Sequence, residues 1–266
     1  MFVIEIPYFN LDQIYNSGLV PRWIRLKESK YVIPHYDKAL KVEQQKERLI
    51  MSCPEQDFYD IWFEYLDLRV DYLDENIKIK KIGGKFKVVA NRGNGIHILN
   101  QNQFEVYVFT KLIQNVGLIK AREIMNRIAA SYGIEHKQSM REAGKVTWFE
   151  WPSPERLYDM LLNENPSSQV KRFLFKLTDA IVNDDFVYAH NGNELFKLLG
   201  KHDMSIFPVN EIEDTLVKNF KCDVDEFADE YLDDVEHKGL VYAYILHHKM
   251  NPPKQMKEVT SYGTGR

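Results

Sequence analysis

The stretch GIHILNQNQFEVYVFTKLIQNVGLIKAREIMNRIAASYG (95–133) decides how the rest of the chain is read. Phe104, Val108, Leu112 and Ile113 recur at helical spacing, and Ile119, Ile124 and Ile128 do so again after a break at Gly117. Apolar residues spaced three or four apart gather on one side of a helix, so both runs predict amphipathic helices packed on a core. The polar pair Gln114-Asn115 falls where the first helix ends. On spacing alone it reads equally as a polar C-terminal cap or as a pair of amides offered to a partner.

Downstream, Trp151-Pro-Ser-Pro opens another helix, with Ser153 as N-cap, Pro154 at the first helical position and Glu155 in the first turn. Further helices are expected at 166–183, 193–199, 209–220, 224–235 and 238–248, and 249–266 reads as a loose basic tail. Upstream, the first hundred residues are mixed α/β. FVIEI (2–6) and KYVIPHY (30–36) have the β-branched and aromatic content of strands. ALKVEQQKERLIMSC (39–53) is either helical or a strand–turn stretch. KIKKIGGKFKVVAN (78–91) reads as a hairpin, with Gly83-Gly84 supplying the turn. The expected organisation is an N-terminal α/β domain over 1–100, a helical domain over 101–248 and a tail over 249–266.

The composition is that of an ordinary globular protein: 266 residues, 44% apolar and 28% charged. That length allows one large domain or two smaller ones. Aromatic residues make up 13%, which suits stacking on bases, although large aromatic cores are the commoner reason. A formal net charge of −4 excludes a uniformly cationic surface, so any nucleic-acid contact must be a local patch. The charge is indeed uneven: 223–236 carries eight acids and no base, read as a solvated helix face, while 111–145 and 171–176 are basic. Cys53 and Cys222 stand far apart, suggesting neither a zinc site nor a disulfide framework and fitting a reducing compartment. His202, Asp203, His247 and His248 lack metal-ligand spacing, so neither a metal nor another cofactor is expected. With no signal pattern and no 18-residue apolar run, the expectation is a soluble cytoplasmic protein of a bacterium or phage-infected cell, without a membrane partner.

Several segments, in order, resemble the helix-hairpin-helix DNA glycosylases that act on 8-oxoguanine and alkylated bases. FNLDQIYNSGLVPRW (9–23) resembles the family's opening strand and its Gly before an Arg-Trp pair. FEYLDLRVDY (63–72) resembles its Phe-Asp-Leu segment, and residues 95–133 its Gly-x-x-Ile-Leu-x-Gln lead into a helix. WPSPERL (151–157), FPVNEIEDTLVKNF (207–220) and GLVYAYILH (239–247) resemble the later helix starts and the last core helix. The resemblance implies an α+β fold, mostly α: an N-terminal antiparallel β domain, then a two-lobed helical body with a base pocket between the lobes. It also implies double-stranded DNA as partner.

The resemblance places Gln114 and Asn115 at the position that fills the stack when a base is everted, Gly18 where backbone approaches that base, and Tyr242 and Leu246 at base-pocket positions on the last helix. Plain helical core accounts for the last two equally well, and Arg22 and Trp23 read as structural. Lys120 and Arg122 belong to the basic region expected to touch DNA. The departures lie in the catalytic segment. The family's Asp, which stabilises the developing sugar cation, is Asn210 here, a neutral amide. The Gly-rich hairpin that precedes it has no room in LFKLLGKHDMSIF (195–207). Lys201 is a candidate replacement for the lyase lysine, and Asp203 or Glu211 for the acid; a solvated Lys-His-Asp loop is the plainer alternative. Three functions follow: modification of an everted base, excision of a damaged or modified base, and non-catalytic reading of DNA. The first resembles the viral enzymes that build hypermodified thymines, where a small amine donor displaces pyrophosphate. The missing Asp and hairpin favour modification over excision.

Overall fold

A computed structural model describes residues 1–140, 143–164, 168–183 and 238–251, together with Leu232 and Val235. Strands β1 (Phe2–Glu5), β2 (Ile24–Lys27), β3 (Lys30–His35), β4 (Lys38–Gln45) and β5 (Arg48–Met51) form one antiparallel sheet in the order β1-β5-β4-β3-β2. The undecided 39–53 stretch is therefore a hairpin, with Gln45 opposite Arg48. In β4 the apolar Leu40 and Val42 alternate inward, as a strand with one buried face requires. Under that face lie α1 (Leu11–Asn16) and a short helical stretch over 55–65 that brings in Phe58 and Trp62.

Strand β3 departs from alternation, and Lys30, Tyr31, Val32 and Ile33 are all buried. Both of its faces are covered. Tyr31 and Ile33 enter the core beneath the sheet, while Val32 packs on Met140, Val146 and Trp148. Those residues belong to a second hairpin, β6 (Glu135–Met140) and β7 (Gly144–Phe149), within the region expected to be helical. Its outer strand carried a period-two signal: Val146 and Trp148 are buried between exposed Lys145 and Thr147.

The hairpin expected at 78–91 is instead two helices, α2 (Tyr72–Ile82) and α3 (Gly84–Arg92). Gly83 does supply a positive φ of 89°, but it joins helix to helix. Lysine–isoleucine alternation in 77–82 mimics a strand, yet the decisive signals lie before it. The Asp71 carboxylate accepts from the Asp74 N–H at 3.0 Å, and Tyr72, Glu75, Asn76 and Ile79 are buried at helical spacing.

Helices α4 (Gln103–Val116) and α5 (Leu118–Tyr132) occupy the expected places. With α6 (Pro154–Glu164) and α7 (Gln169–Asn183) they enclose one apolar cluster built on Phe104, Leu112, Ile124 and Leu157. Ser153 caps α6, its Oγ accepting from the Arg156 N–H at 3.2 Å. A second cluster joins α2 and α3 to α8 (Lys238–Met250) and takes in Leu232 and Val235. Each fully buried Leu, Ile or Phe in these clusters contributes about 1.5–3 kcal/mol. The close approach of α3 to α8 depends on Gly93, where a Cβ would fall 2.2 Å from the Tyr244 ring. Expected helices at 193–199 and 209–220 lie outside the described residues, as do that at 224–235 apart from Leu232 and Val235 and the tail beyond Asn251. The architecture is α+β and mostly helical, with an N-terminal antiparallel sheet.

Candidate nucleic-acid interface

The junction of α4 and α5 is sharp because of one residue. Gly117 adopts a φ of 78°, its N–H closes α4 on the Ile113 carbonyl at 2.9 Å, and α5 begins at the next position. Apart from its chain neighbours, no described atom lies within 4 Å of where a Cβ would sit at Gly117, and the turn at 114–120 is a largely exposed tip. On it, Gln114 is half-buried, while Asn115 and Lys120 are exposed. The Asn115 amide donates back to the Lys111 carbonyl at 2.6 Å, the C-terminal cap geometry. Val116 is 39% exposed and Ile119 is 80% exposed.

Ile119 was expected to line the core with Ile124 and Ile128. A step of five residues rotates a side chain about 140° away from its starting direction on a helix of 3.6 residues per turn. Ile124 and Ile128, four apart, share the buried face; Ile119 points to the other side.

Arg122, one turn further on, does not face solvent as a phosphate contact would. Its guanidinium donates to the Tyr15 carbonyl at 2.6 Å and the Val20 carbonyl at 3.3 Å, and lies 4.2 Å from the Tyr15 ring centre. Burial pulls its proton affinity below the ordinary arginine value. Arg122 is a brace that fixes the tip to the 15–20 loop.

That loop meets α8 on its other side. Gly18, at a φ of 83°, is buried, and a Cβ there would lie 2.7 Å from the Met250 Sδ and 3.6 Å from the Leu246 Cδ2. The Asn251 amide donates to the Asn16 carbonyl at 3.0 Å, tying the end of α8 to the same loop. The structure thus brings Gly18 and Leu246 together, and places them one loop away from the tip. The space that glycine leaves open is taken by Met250. Tyr242 and Leu246 are 2% and 0% exposed within the α2–α3–α8 cluster. Asn210, Lys201, Asp203 and Glu211 lie outside the described residues.

A separate cleft opens where the sheet meets α4, lined by Arg22, His35, Tyr36, Gln101, Glu105 and Trp151. The Arg22 guanidinium grips Glu105 with two nitrogens, one of them 3.0 Å from Oε2, and donates to the Phe149 carbonyl at 2.5 Å. It is a buried ion pair, 7% and 11% exposed at the side chains, rather than a snorkelling cation. Despite burial, Glu105 holds the Arg22 proton more tightly than usual. Burial lowers the pKa of His35 to about 4, opposed by Asp37. The Trp151 indole N–H is buried without a partner among the described residues. No cluster of three metal-ligating side chains occurs among the described residues, and no helix there is long and apolar enough to cross a membrane.

Residues 1–107 match the family model of the 8-oxoguanine DNA glycosylase N-terminal domain. Among solved structures, MBOgg1 in complex with a low-affinity DNA ligand is similar at a TM-score of 0.71 and 20% identity, over 93% of this chain and 95% of that one. The Clostridium acetobutylicum 8-oxoguanine glycosylase/lyase bound to double-stranded DNA with cytosine opposite 8-oxoguanine gives 0.68 and 18%, over 93% and 97%. The same enzyme in its apo form gives 0.66 and 17%, over 93% and 98%. No match is found among curated protein sequences. The chain therefore has the fold of the 8-oxoguanine DNA glycosylases, and its residues 1–107 are similar to their N-terminal domain.

Proposed function

We propose that this protein binds double-stranded DNA, everts a base and excises it. The observation that carries the reading is the turn at 114–120, exposed at Asn115, Val116, Ile119 and Lys120 and braced through Arg122 to the loop that meets α8. An enzyme acting on a base inside a duplex must extrude it and fill the gap, and this takes a protruding, rigidly held element. In this reading the Asn115 amide leaves the Lys111 carbonyl and pairs with the widowed base, exchanging one hydrogen bond for another. The everted base approaches the Gly18 loop, displacing the Met250 side chain, an unbranched thioether that changes rotamer at little cost. Lys120, exposed beside the tip, meets a phosphate.

Excision is supported by the likeness to glycosylases along nearly the whole chain. Modification of the everted base is the second reading, favoured by Asn210 where the family has Asp and by the short 195–207 segment. It would require a small amine donor. Mass spectrometry of nucleosides and free bases after incubation with modified DNA separates the two. A released base supports excision, a heavier nucleoside supports modification, and neither product overturns both. Duplex binding is expected at micromolar concentrations in low salt, within the range of nonspecific DNA affinities, and Lys120→Glu should weaken it several-fold. Arg122 is not a suitable substitution for that test, because it holds the fold. Absence of binding at low salt would overturn the assignment.

A further inference from the structure

The sequence from Lys78 to Arg92 holds six bases and no acid, in a chain whose formal net charge is −4. Helices α2 and α3 and the Gly83-Gly84 turn between them gather these charges at one corner of the fold. Two of the six are engaged elsewhere. Lys78 pairs with Asp74 and Glu75, while Arg92 donates to the Asn251 carbonyl and hydrogen-bonds His248 Nδ1 at 2.8 Å. Of the other four, Lys81, Lys85 and Lys87 are exposed and Lys80 is half-buried. Lys80, Lys81 and Lys87 make no ion pair among the described residues.

The fold gains nothing from this arrangement. The N-terminus of a helix carries partial positive charge, so anions stabilise its first turn and cations do not. Helix α2 follows that rule, with Asp74 and Glu75 in its first turn and Lys80 and Lys81 in its last. Helix α3 breaks it: its first turn has no acid, its N-cap Gly83 offers no side chain, and Lys85 and Lys87 are its second and fourth residues. Like charges from both helices therefore meet across a short turn. Local rules are broken at a stability cost chiefly where function requires it, and an anionic partner accounts for this breach.

The corner is tied to the loop that the everted base is proposed to approach. Arg92, at the far end of α3, holds the Asn251 carbonyl, and the Asn251 amide donates to the Asn16 carbonyl at 3.0 Å, beside Gly18. Helix α3 has nine residues, a length of about 13 Å at 1.5 Å per residue. That length corresponds to about four base pairs of duplex at roughly 3.4 Å each. Near the 114–120 turn, Lys120 is exposed but Arg122 is committed to the 15–20 loop, so further cations are needed to hold a duplex. We propose that Lys81, Lys85 and Lys87 form a second phosphate-contacting surface, which grips the duplex backbone flanking the everted base. The inference rests on the DNA-binding function proposed above and adds to it a surface outside the 114–120 turn.

The test compares the full chain with its triple variant Lys81→Gln/Lys85→Gln/Lys87→Gln by fluorescence anisotropy over a range of salt concentrations. Two probe duplexes, of about 20 and about 8 base pairs, each carry a central tetrahydrofuran abasic residue to fix the register. Each phosphate contact contributes about 0.9 to the slope of log affinity against log salt, so the variant should lose about 2 to 3 from that slope on the long duplex. Its affinity there should fall about tenfold at low salt. On the short duplex, which scarcely reaches the corner, the difference should shrink to about twofold. The variant should melt at or slightly above the wild-type temperature, because like charges have been removed from the start of α3. A clearly lower melting temperature would mean that these lysines serve the fold and would overturn the inference. If the variant keeps the wild-type affinity and slope on the long duplex, the corner is not a DNA surface and the proposed function stands. An equal loss on both duplexes would overturn the flanking contact. If wild type binds neither duplex at low salt, the DNA-binding function fails and the inference with it.

Discussion

Arg22 lies between Pro21 and Trp23, and nothing nearby in the sequence announces an acid 83 residues away. Its reading as a structural residue was legible from the Arg-Trp pair, but the ion pair was not, because it joins a loop of the sheet domain to the first turn of α4. A buried pair that loses one partner leaves an uncompensated charge, at a cost of roughly 3–5 kcal/mol. Glu105→Gln should therefore lower the unfolding free energy by about 3 kcal/mol in urea titrations. A change below about 1 kcal/mol would mean that water reaches Arg22. Two histidines make a second, pH-dependent contribution. Burial depresses the pKa of His35 to about 4, against the opposing Asp37. Burial likewise depresses His247 to about 4, with Arg92 and His248 adding to the effect. In the unfolded chain both titrate near 6.5, so between pH 6.5 and 4 the unfolded state binds more protons. Their contribution is complete above pH 6.5 and is lost as the pH falls toward 4, by at most about 1.4 kcal/mol per pH unit for each histidine. His35→Phe keeps an aromatic ring against Tyr36 and Tyr65 and should flatten this slope in melts taken between pH 7 and pH 5. An unchanged slope would show that His35 titrates normally.

Helix α2 shows where pattern reading fails at the scale of an element. Residues 78–91 contain alternating Lys and Ile around a Gly pair, which is a strand-and-turn signal when taken alone. The helix begins six residues earlier, at Tyr72, capped by Asp71, with acids in its first turn and lysines in its last, matching the helix dipole. Caps and end charges outweighed a local period of two. Asp71→Ala removes the side-chain acceptor for the Asp74 N–H and should cost about 1 kcal/mol. Hydrogen exchange should show that loss as faster exchange at the start of α2, spreading to α3 and α8, which share its core. Unaltered exchange in that helix would assign its stability to packing alone. Helices α4, α5 and α6 were legible because long apolar periodicity coincided with a glycine break and a Ser-Pro start, signals that point to the same ends. The β6–β7 hairpin was missed because it is short and lies between two helical runs. Its strands are fixed by Val32 of the sheet, a contact no local window contains.

Across the whole molecule, the order of weak motifs carried the fold, whereas the proposed chemistry turns on a segment that lies outside the described residues. The tip at 114–120 was legible from the Gly117 break, but its brace was not: Arg122 looked like part of a basic patch and instead holds the 15–20 loop. Gly18 was legible as a close-approach position, although the neighbour it admits here is Met250. In the proposed function, Asn210 is the position at which the predictions for excision and modification diverge. A carboxylate opposite a developing oxocarbenium ion stabilises it electrostatically, and an amide of the same size keeps hydrogen bonds but not the charge. If the protein is a glycosylase working without that charge, Asn210→Asp should raise base release by one or more orders of magnitude, each 1.4 kcal/mol or so being about tenfold in rate. If the everted base is instead modified, the same substitution should leave the native product unimproved and add at most a slow release of base. Single-turnover assays of wild type and Asn210→Asp on one modified duplex, with nucleosides and free bases quantified together, give opposite results for the two chemistries. A large gain in released base, with no mass-shifted nucleoside from wild type, establishes excision. A mass-shifted nucleoside from wild type that Asn210→Asp fails to increase overturns excision and leaves modification in its place.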